Sequence, residues 1–237
     1  MHILFLSLLL ISFAIIVRIS TITEKKHRNV KMTEKTKCKD YYQTIAMLWG
    51  MVFVVFIMCL IGGINPGNIG VRPMSFHYPI WFTATILVIS GLLIAIMLVQ
   101  SIQLLTSAKA REEAKNKIAA EEGAGQVLPR TKKEKRLFVL VSLTAGICEE
   151  IIFRGFMVFL LQSIFPGLPI YLIVIIVSVI FGAAHLYQGW QGTIKTGVTG
   201  IFLMCLVLVT DSLILAMLVH FLIDASSTFL LSEENAQ

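Results

Sequence analysis

The chain has 237 residues, of which 57% are hydrophobic and only 14% are charged. This composition is outside the usual range of soluble domains and predicts a polytopic membrane protein with no room for a large extramembrane domain. The formal net charge of +6 comes from two basic segments that lie between apolar runs. Because such segments are typical of cytoplasmic loops, the charge predicts a membrane orientation rather than a nucleic-acid partner.

The N-terminal part of the chain predicts three spans. Residues 3–17 form a short first span, and a basic segment that follows it up to Asp40 is expected in the cytoplasm. Residues 45–64 then cross outward and residues 80–99 return, joined by a turn-rich connector with almost no charge. A second lysine- and arginine-rich segment follows the third span, so two independent loops indicate the same orientation.

The C-terminal part predicts four further crossings joined by short loops. The letters "PGLP" and "LYQGWQG" are typical of loops and separate the first three of these crossings. The predicted fold class is therefore all-α, a transmembrane helical bundle of about seven spans. The last four predicted spans are residues 137–165, 170–185, 193–209 and 212–231.

The four cysteines do not indicate a metal cluster or a disulfide framework. They lack the spacing of metal ligands, and three of them lie in apolar runs, where a thiol behaves as a small hydrophobic group. They are Cys38, Cys59, Cys148 and Cys205.

The fourth predicted span contains three ionisable residues in the stretch "EEIIFR". Such groups are costly at membrane depth and indicate a functional site or a structural ion pair. Glu150 and Arg154 are four residues apart on one helical face, so they are expected to form an ion pair. Glu149 points to another surface of the helix, where a buried carboxylate without a cationic partner is suited to general-base work.

Two later spans also carry ionisable groups. His185 ends the stretch "FGAAH", while His220 and Asp224 share one face of the last span in "HFLID". Glu149 lies roughly 18 Å from the cytoplasmic start of its helix at 1.5 Å per residue, and His185 and Asp224 lie towards the cytoplasmic ends of theirs. The three groups are therefore expected to meet in one cavity that opens to the cytoplasm.

Structural interpretations of each group stay open at this point. The glutamate–arginine pair could hold helices together, and a histidine at a helix end often bonds to the backbone. His220 and Asp224 could form an internal hydrogen bond or part of an ion path. The presence of one such group in each of three spans, at compatible depths, favours a single functional site.

The three motifs resemble those of the CPBP intramembrane proteases, also called the CAAX-processing or Abi family, which includes the prenyl-protein endopeptidases. The family's EExxxR stands at 149–154, its FxxxH at 181–185, and its third motif, a histidine with asparagine or aspartate four residues on, at 220–224. The resemblance covers residues 137–231. It implies a peptide hydrolase that uses a glutamate and no metal cofactor.

The resemblance also implies roles for the site residues. Glu149 would act as the base with His185 as its partner, and His220 with Asp224 would stabilise the oxyanion. The prenyl endopeptidases have asparagine in place of Asp224, and an ionised aspartate would repel an oxyanion. Asp224 would then either donate a hydrogen bond in its protonated form or orient His220.

Three further residues are assigned supporting roles by the same resemblance. They hold the helix and its charges in place around the catalytic groups: Glu150, Arg154 and Phe181. We accordingly divide the chain into N-terminal spans with two basic loops, a protease-like catalytic core and an acidic tail, at residues 1–136, 137–231 and 232–237.

The expected function is a membrane-embedded endopeptidase that cuts a membrane-associated protein or peptide, of CAAX type or of bacteriocin or pheromone type. The expected location is a bacterial plasma membrane, with the active site towards the cytoplasmic side. Two alternatives remain open. One is a non-catalytic scaffold or bacteriocin-immunity protein, and the other is a zinc-dependent version of the protease, since Glu149, His185 and His220 are acceptable zinc ligands in type.

Overall fold

In the computed structural model, residues 1–27, 33–110, 112–113, 128–226 and 228 are described, and they contain helices but no strand. The predicted acidic tail, 232–237, lies outside these residues. Eight α-helices are bounded within the described part of the chain. They are α1 His2–His27, α2 Glu34–Gly62, α3 Ile80–Thr106, α4 Lys132–Glu149, α5 Val158–Ile164, α6 Ile170–Ala184, α7 Gly189–Thr210 and α8 Ile214–Ser226.

Two of the longer helices begin at well-formed caps. The Thr33 side chain accepts a hydrogen bond from the backbone of Thr36 at the start of α2. At the start of α4, Thr131 and Glu134 form a reciprocal capping box. Gly63 ends α2 in the left-handed conformation with a φ of 61°, which glycine adopts without steric cost. Local sequence therefore defines these boundaries.

Three helical segments are long and apolar enough to cross a membrane by length and composition: Glu34–Gly62, Ile80–Leu104 and Leu186–Thr210. Shorter apolar helices cover His2–Ile15, Ile170–Ala184 and Ile214–Ser226. The predicted all-helical membrane fold is confirmed, and the chain is an integral membrane protein. The number of seven spans is approximate, because several of the apolar helices are short.

The prediction of a loop at "LYQGWQG" was wrong for most of its length. Leu186–Gln188 forms a 3-10 turn, and α7 begins at Gly189 rather than at residue 193. Gly189, the first residue of this helix, has a φ of 79°, a left-handed value that glycine adopts without steric cost. Glycines are typical of loops, but here packing of the segment against α6 and α1 favours helix.

The helices pack around one continuous segment that runs from α4 through a π-helix, Glu150–Met157, into α5. α4 packs against both α2 and α8, while α6 packs against α7. The largest side chains in the fully buried core include Phe156, Phe181 and Met157. The π-helical turns thus lie in the centre of the bundle, where wide helical turns are commonly associated with function.

The connector between α2 and α3 is hydrogen-bonded to the turn between α7 and α8. The backbone of Ser75 donates to the carbonyl of Thr210 at 2.8 Å, and that of Leu213 donates to Gly70 at 3.0 Å. Arg72 and Asp211 form an ion pair across the same contact. These bonds hold the start of α8, the helix that carries His220 and Asp224.

Glycine permits the close approach of α6 and α7. A Cβ atom built on Gly182 would lie 2.8 Å from the carbonyl oxygen of Thr193 and 3.2 Å from the Cα of Gly197. Real Cβ atoms do not approach backbone atoms so closely, so a larger residue would push the two helices apart. The backbone of α6, and with it His185, is therefore positioned by this contact.

We expect Gly182→Ala to destabilise the protein by roughly 1–3 kcal/mol, the usual cost of overpacking a well-packed core. Thermal unfolding of the purified protein in detergent measures this loss. Gly197→Ala is the matched control in the same interface, because a Cβ there would lie 3.5 Å from the nearest atom, the Ser178 carbonyl oxygen. Equal unfolding midpoints for the two variants would contradict the close-approach explanation.

Candidate active site

A buried network joins the π-helix to α8. Arg154 Nη1 donates to Glu150 Oε1 at 2.8 Å, and His220 Nδ1 lies 2.8 Å from the same oxygen. The side chains of Glu150 and Arg154 are 0% and 1% exposed. Glu150 Oε1 already accepts a hydrogen bond from the guanidinium, and hydrogen bonds from charged donors are stronger than neutral ones. His220 Nδ1 is therefore the donor to Glu150.

Phe181 of α6 lies at the centre of this network. The guanidinium carbon of Arg154 is 4.0 Å from the Phe181 ring centroid, a cation–π contact. The rings of His185 and His220 meet the same phenyl ring edge-on, with centroids at 4.9 and 5.9 Å. One aromatic side chain thus contacts residues from all three motifs.

Glu149 lies between the two histidines. Its Oε2 atom is 3.8 Å from His220 Nε2 and 4.0 Å from His185 Nε2. These distances exceed direct hydrogen-bond lengths and suit contacts bridged by a small molecule such as water. Within the described part of the chain no group donates a hydrogen bond to this buried oxygen. Glu149 is thus a carboxylate with spare acceptor capacity, as predicted.

His185 is oriented by the helix that it ends. Its Nδ1 atom lies 2.9 Å from the carbonyl oxygen of Phe181, which can only accept a hydrogen bond. Nδ1 therefore carries the proton, and in a neutral ring Nε2 is left as an acceptor that faces Glu149. His185 therefore makes the backbone hydrogen bond of the structural interpretation and also lies beside Glu149.

Asp224 lies at the more open end of the group. Its Oδ2 atom is 3.6 Å from His220 Nε2, an ion-pair distance rather than a hydrogen bond. Its side chain is 36% exposed, compared with 13% for Glu149. Because Glu150 already orients the His220 ring through Nδ1, that ring does not depend on Asp224 for its position.

The structure therefore brings together all four residues predicted to be catalytic, from α4, from the end of α6 and from α8. The sequence missed the hydrogen bond between His220 and Glu150, two residues that are 70 positions apart in the chain. It also missed Tyr187, whose ring centroid lies 5.7 Å from that of His185 and whose hydroxyl accepts from Gln188. No spacing pattern signals either contact.

The charges of the site are of both signs. The carboxyl groups of Glu149, Glu150 and Asp224 face the Arg154 guanidinium and two imidazoles, so the arrangement offers proton acceptors and donors within one small space. Among the described residues, no group of three or more histidine, cysteine, aspartate or glutamate side chains has an arrangement that would hold a metal ion. The geometry is suited to general acid–base chemistry.

These features define a multi-pass integral membrane protein with a buried acid–base site built from three helices. Residues 133–226, somewhat less than half of the chain, match the model of the family described as type II CAAX prenyl endopeptidase Rce1-like. The chain carries an Rce1-like domain, and the predicted relation to the CPBP proteases is confirmed. The match includes every site residue named above. No curated protein and no solved structure matches the chain.

Proposed function

We propose that this protein is a membrane-embedded endopeptidase in which Glu149 activates a water molecule for attack on a peptide bond. The observation that carries the proposal is the buried Glu149 Oε2 atom. It accepts no hydrogen bond from a described residue and lies within 4.0 Å of the Nε2 atoms of both His185 and His220. The match to a family of membrane CAAX-type endopeptidases supports the same class of reaction.

In the proposed reaction, Glu149 removes a proton from a water molecule that also donates to His185 Nε2. The water oxygen forms a bond to the scissile carbonyl carbon, and the carbonyl electrons move onto its oxygen. When the tetrahedral intermediate collapses, the carbon–nitrogen bond breaks and protonated Glu149 returns its proton to the leaving amine. The backbone hydrogen bond from His185 Nδ1 keeps its Nε2 an acceptor throughout.

We assign His220 to the oxyanion. Its Nδ1–H group donates a hydrogen bond to Glu150. A second hydrogen bond, from Nε2 to the oxyanion, therefore requires the doubly protonated imidazolium. With Glu149 and Glu150 ionised, that imidazolium and Arg154 balance the two carboxylates. Glu150 is then a positioning residue that stabilises the donor form of His220. Arg154 supports Glu150 through their ion pair, and Phe181 contacts Arg154.

The proposed substrate is a membrane-associated protein or peptide. It is cut on the side of the helical bundle where the two basic segments lie. Candidates are a CAAX-type prenylated segment and a bacteriocin- or pheromone-type peptide. The proposed location is a bacterial plasma membrane with the site towards the cytoplasm, because the basic segments lie on that side. We propose that residues 137–231 form the catalytic core and that no metal takes part.

A cleavage assay tests the proposal. The purified protein in liposomes is given fluorogenic membrane-tethered peptides, with and without a farnesylated CAAX end, in the presence and absence of a zinc chelator. We expect hydrolysis that is unaffected by the chelator. Hydrolysis abolished by chelation and restored by zinc would support the zinc-dependent alternative instead. A wild type that cuts no peptide, while binding a membrane partner, would favour the scaffold alternative.

Asp224→Asn separates the two predicted roles of Asp224. In its protonated form Asp224, 3.6 Å from His220 Nε2, would donate a hydrogen bond to the oxyanion, and the amide of asparagine supplies the same donor. A carboxylate that orients His220 is lost in both variants. We therefore expect Asp224→Asn to retain at least wild-type kcat, whereas Asp224→Ala should lower kcat because it supplies no donor. Comparison of kcat for the two variants in the same liposomes is the measurement. Equal losses would show that a carboxylate is required.

A further inference from the structure

A cavity of about 700 Å³ opens beside the start of α2, apart from the candidate active site. Most of its lining comes from one helix, at positions 35, 38, 39, 42, 43 and 46. These positions recur every three or four residues, so they form a single face of α2. Lys133, near the start of α4, lines the cavity as well. The cavity is thus a groove between the starts of two helices.

The groove is positively charged. Lys35, Lys39 and Lys133 line it, with Glu34 as the single acidic residue. Glu34 Oε1 lies 3.9 Å from Lys133 Nζ, so that carboxylate is already shared with one lysine. Within the described part of the chain, Lys35 and Lys39 form no ion pair. A surplus of positive charge therefore faces the groove.

The polarity of this face changes along the helix axis. Charged residues at 35 and 39 are followed by Tyr42, then by Ala46, over about 16 Å at 1.5 Å per residue. Tyr42 is 60% exposed, and the helix continues with Phe53, which is 62% exposed, among other exposed apolar side chains. A change from basic to aromatic to apolar marks the level at which a span enters the membrane interface.

The two helix starts that form the groove, those of α2 and α4, are joined by a buried contact on the other face of α2. Lys37 Nζ donates to the carbonyl of Leu128 at 2.8 Å and lies 3.6 Å from Glu134 Oε2. The side chains of Lys37 and Glu134 are only 4% and 3% exposed. This ion pair joins the start of α2 to the start of α4, so the groove exists before any ligand binds.

We propose that this groove binds the headgroup of an anionic phospholipid, with the phosphate between Lys35 and Lys39 and an acyl chain along Tyr42 and Ala46. Charge complementarity and the order of polarity along α2 carry the proposal. Basic pockets between transmembrane helices at the interface are suited to anionic lipid headgroups. A free phosphate would use the lysines but not the aromatic and apolar part of the groove.

The test is a lipid titration of the full-length protein in non-ionic detergent, read by native mass spectrometry. Phosphatidylglycerol and phosphatidylcholine with identical acyl chains are the probes. We expect phosphatidylglycerol to bind with at least about tenfold lower Kd. Because each lysine near an anionic headgroup contributes roughly a fivefold factor, Lys35→Gln/Lys39→Gln should raise that Kd by about tenfold or more. The Kd for phosphatidylcholine should not change.

Lys109→Gln/Lys132→Gln is the matched control, since it removes the same charge from two exposed lysines that do not line the groove. Equal weakening by both double variants would overturn the proposal in favour of a general charge effect. Equal Kd values of the two lipids for the wild type would also overturn it. A third titration adds inorganic phosphate to the protein with bound phosphatidylglycerol. Displacement of the lipid by an equal concentration of inorganic phosphate would overturn the proposal and assign the groove to a free anion. Unfolding midpoints confirm that each variant is folded.

Discussion

Replacing Glu149 with glutamine is expected to reduce peptide hydrolysis by roughly 10²- to 10⁴-fold, the usual contribution of a general base. Glutamine keeps the shape of the side chain and its hydrogen-bonding capacity but cannot take a proton from water. The loss should appear in kcat, because Glu149 transfers protons during the chemical step and is not proposed to bind the substrate beforehand. Initial rates on the best-cleaved membrane-tethered peptide, in liposomes of fixed composition, give the measurement.

Glu113→Gln is the control for this variant, because it removes an exposed carboxylate outside the site. It should retain wild-type rates, and both variants should unfold at the wild-type temperature. A Glu149→Gln protein with full activity would exclude the proposed mechanism. If wild type and variant were equally silent in hydrolysis but equally functional in a cell, the scaffold alternative would be supported instead.

Replacing Arg154 with methionine is expected to destabilise the protein by about 3–5 kcal/mol, the usual cost of breaking a buried ion pair. Methionine fills much of the same space, so the loss comes from Glu150, whose carboxylate would stay buried with His220 as its remaining donor among the described residues. The cation–π contact with Phe181 would be lost as well. Thermal unfolding in detergent, followed by tryptophan fluorescence, measures the change.

The double variant Glu150→Gln/Arg154→Met distinguishes loss of the ion pair from poor packing. It removes the unpaired charge together with the arginine, so we expect it to unfold at a higher temperature than Arg154→Met alone. It should nevertheless hydrolyse peptide slowly, since a neutral amide stabilises the His220 imidazolium less well than a carboxylate. A double variant no more stable than Arg154→Met would show that packing of the arginine dominates.

Much of the site could be anticipated because its parts are local. Glu150 and Arg154 are four residues apart, a spacing that places them on one face, and their ion pair is present as predicted. The spacing of His220 and Asp224 likewise brings them near one another, although at 3.6 Å they make no hydrogen bond. Ionisable groups in apolar runs are rare enough to stand out without any structure.

The features that were missed depend on contacts between distant parts of the chain. The π-helix at Glu150–Met157 has no signature in the hydropathy pattern, and it lies between α4 and α5, where it packs against α2 and α6. The helical start of α7 at Gly189 was predicted as a loop, because glycine is a poor indicator of helix. Packing of α7 against α6, and of the preceding 3-10 turn against α1, outweighs that weak local preference.

By itself the sequence predicted the fold class, the membrane setting, the family resemblance and a set of candidate site residues, because hydropathy, helical periodicity and motif spacing are properties of neighbouring residues. Only the tertiary structure decided how those residues share their hydrogen bonds. It assigned the Nδ1 atom of His220 to Glu150 and that of His185 to Phe181, and it left Glu149 facing the Nε2 atoms of both rings. The physical reason is that these contacts depend on the depth and rotation of three packed helices, which side-chain volumes and close glycine approaches determine jointly.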